Sequence, residues 1–292
     1  MQQFLIVTLN GLTQAALFFV VASGFSLIFG LMRVVNMAHG TLYAVSAYIG
    51  WSIWDSTGNW WLALMIAPLF AVIVGVLMQR FLLTRVQGDD LQEALVTIAV
   101  SIIVGDLLLQ RYGGAIRQVR PPEIISGATT LIETESLRLI YPTFRLFTLF
   151  AAILIGAILW YILNRTKLGM VIRAGIDDRP MVEALGINIE RTFIMVFALG
   201  ALLAGIGGFF GASALSLRPG DDGIYLLSSL IVVIVGGMGS LGGAALGAVL
   251  IGLAGQYGLA YTPTYASLIT FVIMVIVLAV RPQGILGRSL SR

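Results

Sequence analysis

The chain has no cysteine and a single histidine, His39, in 292 residues. Without cysteine there is no disulfide, no thiolate metal site and no cysteine nucleophile. Charged residues are also scarce, at 11% against about 25% in ordinary globular proteins. Three catalytic signatures are missing as well. There is no G-x-x-x-x-G-K-[ST] loop to cradle ATP phosphates, no H-E-x-x-H zinc motif and no G-x-S-x-G nucleophile elbow. No catalytic residue and no metal site are therefore expected in this chain.

What is present is apolar. Hydrophobic residues make up 59% of the chain, and the mean hydropathy is +0.99. A soluble domain of this length would expose apolar patches far beyond the few hundred Å² that monomers tolerate. A soluble enzyme, a nucleic-acid-binding protein and a disordered chain are excluded on that ground. At ~20 residues per transmembrane helix, the length allows roughly eight or nine spans. Glycine is abundant, with 34 residues where an average near 7% would give fewer. In membrane helices glycine lets backbones approach closely. The net charge of +3 fits basic residues gathered at one membrane face rather than nucleic-acid binding.

The apolar runs predict an all-α polytopic helical bundle, read as one transmembrane domain over residues 1–292. They cover Phe4 to Met32, Gly40 to Trp54, Trp60 to Leu83, Ala94 to Leu109, Leu146 to Leu163, Thr192 to Leu215, Ile224 to Tyr257 and Tyr265 to Val280. The first lacks a basic leader and is too long for a cleaved signal peptide, so it reads as a retained span. The seventh is longer than one ordinary span of ~17–25 residues. It is interrupted by Gly236, Gly237, Gly239, Gly242 and Gly243, which read as a helix break. The weak alternation from Thr130 to Ile140 reads as a short hairpin.

Lysine and arginine set the expected orientation. Arg33, Arg80, Arg85, Arg165, Lys167, Arg173, Arg179, Arg191, Arg281, Arg288 and Arg292 fall on one side, eleven of the seventeen basic residues. The other side holds Arg111, Arg117, Arg120, Arg138, Arg145 and Arg218. The richer side is expected to be cytoplasmic and to carry the C-terminus. Counting the glycine break as a turn gives nine spans and an external N-terminus.

Four features bear on mechanism. Residues 169–188 carry signals for a short helix outside the spans: Asp177 or Asp178 as N-cap, Pro180 in the first turn, Glu183 near the positive end and Gly186 as terminator. Its apolar side could rest on the bilayer or fit a groove on a partner. The insert Asn36, His39 and Gly40 interrupts apolar sequence and reads either as a structural turn or as the lining of a translocation path. Gly200, Ala204, Gly208 and Ala212 recur every fourth residue, as do Gly239, Gly243 and Gly247. Each set predicts a smooth packing ridge, within the subunit or between subunits. Asp106 is the one acid well inside an apolar run, with Gln110 one helical turn on; it is placed near the outer interface, with a proton-relay role as the rival reading.

These residues resemble the LivH-type permease subunits of branched-chain amino-acid ABC importers. The resemblance rests on Gly24-Phe-Ser-Leu-Ile-Phe-Gly30, Asn36-Met-Ala-His-Gly40, Arg173-Ala174, Ala184-Leu-Gly-Ile-Asn188, Gly236-Gly-Met-Gly-Ser-Leu-Gly-Gly243 and Arg281-Pro-Gln-Gly-Ile-Leu-Gly287, in this order along nearly the whole chain. It implies a bacterial inner-membrane permease paired with a second, similar permease, two cytoplasmic ATPase subunits and a periplasmic substrate-binding protein. ATP would be bound by the ATPase chains, and no cofactor by this one. The segment would then be an ATPase-coupling element, with Gly169, Arg173, Ala174, Asp177, Asp178, Glu183, Ala184, Leu185, Gly186 and Asn188 as its residues. The family also resembles importers of urea and short-chain amides, so the resemblance leaves the substrate open. An ion-coupled secondary transporter is the rival class, but it would need more intramembrane ionisable groups than His39 and Asp106.

Overall fold

The computed structural model describes residues 2–32, 35–134 and 137–287; the side chains of residues 134, 137, 176, 177 and 179 lie outside the description. Arg33, Arg288 and Arg292 are therefore not placed. Twelve α-helices and one hairpin make up the described fold: α1 Gln2–Met32, α2 His39–Thr57, α3 Trp60–Met78, α4 Thr84–Val86, α5 Asp90–Tyr112, β1 Ala128–Thr134, β2 Leu137–Pro142, α6 Thr143–Arg165, α7 Lys167–Asp177, α8 Arg179–Ala184, α9 Ile189–Ala214, α10 Asp221–Gly236, α11 Leu241–Tyr261 and α12 Ala266–Val280. A π-helical stretch, Gln79–Leu83, joins α3 to α4.

Among the described residues, seven helices are long and apolar enough to cross a membrane. They are α1, the continuous run of α3 and α4, α5, α6, α9, α11, and α12 with its preceding turn. Two further helices, α2 and α10, belong to the bundle but fall outside that set. The 16 residues of α10 make a helix of about 24 Å, short of the ~30 Å hydrocarbon core. This protein is a multi-pass helical membrane protein; against the expected eight or nine spans, the described residues hold seven candidate spans, with α2 and α10 packed among them.

Burial sorts the helices into layers. α1 and α9 form the centre, with 78% and 67% of their most apolar windows buried, whereas α12 has 0%. A helix that is apolar all round suits either the core of such a bundle or its lipid face. α1 packs on α9, α10 and α11, and α9 also packs on α2 and α3.

The two ends of the bundle are built differently. At the Gln2 end sits the antiparallel β1–β2 hairpin, bulged between Thr130 and Ile132. Tyr141 and Arg145 both donate to Asn10 Oδ1 of α1, at 3.0 Å and 2.6 Å. The loop before the hairpin pairs Arg117 with Leu217, and the Arg117 guanidinium lies 3.8 Å from the Trp51 ring centroid. At the Met32 end lie α7, α8, the α10–α11 turn and residues 284–287. The expected hairpin and glycine break are both present.

Candidate functional site

The chain re-enters the bundle directly after α1. Residues 35–38 run back from the Met32 end, so α2 begins at the level of Val21, well inside α1. Asn36 and His39 are both fully buried. His39 Nε2 lies 2.9 Å from the Val21 carbonyl, and its ring meets Phe25 edge-on with centroids 5.4 Å apart. Asn36 Oδ1 accepts from Ala38 N at 3.0 Å, closing the turn that starts α2. Met37 N donates to Thr97 Oγ1 of α5. Gly40 is required by contact: a Cβ there would stand 2.0 Å from the Asp222 carbonyl at the head of α10. Together with Met37, the three residues of this insert thus tie α1, α2, α5 and α10 together.

A cavity of about 190 Å³ opens where α2, α5 and the head of α10 meet. Thr41, Tyr48, Asp106, Arg218 and Asp222 contribute its polar wall. Gly105 lies beside Asp222, whose carboxylate would be 3.9 Å from a Cβ at that position. Of this group, only Asp106 stood out in the sequence. Arg218 and Asp222 flank Pro219-Gly220 and read there as an ordinary polar loop.

The first glycine ridge packs inside the subunit. Gly200 meets Gly24 and Ile28 of α1, and Gly208 meets the Tyr43 backbone of α2, each at distances that exclude a Cβ. Ala204 and Ala212 between them are fully buried. The second ridge departs from its expected membership. Gly239 lies in the α10–α11 turn with φ +78°, so the helical spacing that grouped it with Gly243 and Gly247 does not apply. Those two pack against the backbone of α10, and Gly252 against Gly11 and Ala15 of α1.

The glycine break is a tight turn held from outside. Gly237 has φ +110°, a conformation reserved for residues without a Cβ. Ser240 Oγ accepts from Gly243 N and caps α11. Ile285 N and Leu286 N donate to the carbonyls of Val235 and Gly236, both at 2.9 Å. Two motifs far apart in sequence therefore form one structure, with the C-terminal segment supplying the donors that the end of α10 lacks.

Residues 169–188 form two helices where one was expected. Thr166 caps α7 through Gly169 N, and Asp178 caps α8 through Met181 N; the side chain of Asp177 lies outside the described residues. Gly169 is required by contact, since a Cβ would strike the Leu163 carbonyl at 2.2 Å where α7 folds tightly back on α6. Arg173 Nη1 donates to that same carbonyl. Ile172 and Val182 are buried with Leu31, Ile189 and Phe193. Gly186 takes φ +79° and ends α8, and Asn188 caps α9 through Arg191 N. Outward stand Met170, Met181 and Leu185, with Ala174, Glu183 and Ala184 beside them. Gly169, Arg173, Asp178, Gly186 and Asn188 thus build the element, while Ala174, Glu183, Ala184 and Leu185 form its exposed surface.

Comparison with known proteins bears directly on this architecture. A family model described as "Branched-chain amino acid transport system / permease component" matches residues 7–278. The chain belongs to this family. It is 26% identical to the high-affinity branched-chain amino acid transport system permease protein LivH of Escherichia coli, over 96% of this chain and 94% of that protein. BraD of Pseudomonas aeruginosa, named in the same terms, gives 26% identity over the same shares. LivM of E. coli is 26% identical over 96% of this chain and 70% of its own length. Similarity to both LivH and LivM relates the permease to a system with two permease chains. A solved structure, PsaBC from Streptococcus pneumoniae in complex with Fab, shares the fold, with a TM-score of 0.52, 11% identity and coverage of 94% of this chain and 91% of that one.

Proposed function

We propose that this permease is one half of the membrane channel of an ATP-driven importer for branched-chain amino acids. The family match over residues 7–278 carries the reading, and the similarity to the branched-chain amino acid permeases LivH and BraD supports the substrate class. A second permease pairs with it, a pair of cytoplasmic ATPases binds and hydrolyses ATP, and a periplasmic binding protein delivers substrate. No cofactor belongs to this chain. The bacterial inner membrane is its location, with the α7–α8 end and the C-terminus in the cytoplasm, where Arg80, Arg85, Arg165 and Lys167 also gather.

The α7–α8 element is the ATPase-coupling element. It is anchored by its caps and by Ile172 and Val182, so it can transmit a push rather than absorb it. Met170, Met181 and Leu185 present apolar surface suited to a groove on a partner. Alternating access follows when the ATPase pair favours one packing of the bundle over another, which demands different contacts in the two states. The Asn36–His39–Gly40 turn then acts as the joint between α1, α2 and α10 beside the path.

Affinity purification in mild detergent tests the assembly. Two ATPase chains and a second permease should co-purify. Uptake of radiolabelled leucine should collapse on ATP depletion and persist with an uncoupler. A lone chain active in vesicles, or uptake abolished by the uncoupler alone, defeats the reading.

A further inference from the structure

The cavity between α2, α5 and α10 carries both signs of charge on its wall. Arg218, Asp106 and Asp222 all line it. Asp221 is engaged by its own loop, accepting from Arg218 N at 2.8 Å, which leaves Asp222 as the carboxylate facing the cavity from α10. Asp106 and Arg218 are exposed and Asp222 is half-buried, so these charges stand around an open mouth of the cavity. Asp106 stands on α5, where Gly105, Leu108 and Leu109 line the cavity with it.

We infer that this cavity is a subsite for the zwitterionic head of a free α-amino acid. The Arg218 guanidinium takes the α-carboxylate, for which its planar fork is suited. Asp222 and Asp106 take the α-ammonium. Gly105 leaves room beside the Asp222 carboxylate, since a Cβ there would approach it to 3.9 Å. Ala44, Leu108 and Leu109 complete the wall with apolar surface, which fits a branched aliphatic side chain. A neutral solute such as urea offers no charge to match Arg218 or the two carboxylates, so the lining favours amino acids over amides. This assignment rests on the importer reading and deepens it by naming where the substrate is held.

The absence of cysteine permits a direct test. Leu109→Cys, at an exposed position on the cavity rim, is labelled with a maleimide in the purified complex without its binding protein. L-Leucine should slow labelling at least five-fold, and leucinamide, which lacks the carboxylate, should slow it much less. Ile124→Cys, 86% exposed in the loop before the hairpin, should label at one rate throughout. In cells carrying chromosomal variants, Arg218→Gln and Asp222→Asn should each cut leucine uptake at least ten-fold, and Arg218→Lys should restore about half. If wild-type cells take up leucine while leucine gives Leu109→Cys no protection, the subsite is overturned and the importer reading stands. Equal protection by leucine and leucinamide also overturns it. If wild-type cells take up no branched-chain amino acid, the importer reading itself fails. Where a charge variant does not assemble, cysteine protection in the otherwise wild-type complex decides.

Discussion

Gly237 and Gly284 meet backbone to backbone: a Cβ on Gly284 would lie 2.6 Å from Gly237 Cα. Both residues also have positive φ, +110° and +80°. This contact seats the C-terminal segment on the end of α10, where Ile285 and Leu286 donate to Val235 and Gly236. Gly237→Ala or Gly284→Ala should therefore destabilise the protein by about 2–3 kcal/mol, as overpacking and backbone strain combine. Thermal melting in detergent measures this. Gly114→Ala, where a Cβ meets nothing within 4 Å, should melt like the parent; equal melting of all three variants would refute the seat.

The α1–α9 crossing depends on the absence of side chains at Gly24 and Gly200. A Cβ on Gly24 would stand 2.5 Å from the Gly200 carbonyl. Gly24→Val should push the two central helices apart and abolish uptake, with less protein surviving extraction. Gly255→Ala, on open surface, should retain both. Normal uptake by Gly24→Val would mean that the central pair tolerates separation.

The α7–α8 surface and its frame should respond differently. Met181→Glu and Leu185→Glu change exposed apolar contacts and should leave the permease folded while reducing co-purified ATPase at least ten-fold. Arg173→Glu removes the donor to the Leu163 carbonyl, so it should lower melting temperature as well as ATPase recovery. Quantified pull-downs beside melting curves separate the two effects. Undiminished ATPase recovery with Leu185→Glu would remove this surface from the docking assignment.

His39 holds a buried carbonyl of α1 by a single ring nitrogen. His39→Ala should leave a void at the head of α2 and cost about 1–3 kcal/mol. His39→Gln, which can still donate to Val21, should recover part of the loss. If the joint also shapes the path, both variants lose more uptake than their melting temperatures explain. Stability and uptake both at the parent level for His39→Ala would show that the residue matters to neither.

Much of the bundle was legible in the apolar runs, because a lipid-spanning helix must satisfy its backbone internally and stay apolar throughout. The Ile224–Tyr257 run was readable as two helices because its glycines fall together and its length exceeds one span. The hairpin was readable from alternation. The cavity was not, since Arg218 and Asp222 acquire meaning only when α9 and α10 fold beside α2 and α5. Helical spacing misplaced Gly239 for a related reason: periodicity assumes a continuous helix, and α11 begins only at Leu241, two residues after Gly239. Arg173 looked like a docking charge because sequence shows its type and not its partner, the Leu163 carbonyl. The segment 169–188 read as one helix because Asp178 and Pro180 mark a start clearly, whereas the cap for α7 is Thr166, outside the apparent motif.

The depth at which α2 and α10 begin has an electrical consequence. From Val21, the level of His39, to the end of α1 at Met32, the helix rise amounts to about 16 Å. Water reaching the Gly40–Asp222 contact would leave only that distance, about half of the ~30 Å hydrocarbon thickness, as insulating barrier. The membrane voltage would then fall across a short septum instead of the full bilayer, and each charge crossing it would feel most of the ~2.3 kcal/mol per 100 mV over a few helical turns. A zwitterion carries no net charge through such a septum, so its passage would neither gain from the voltage nor dissipate it.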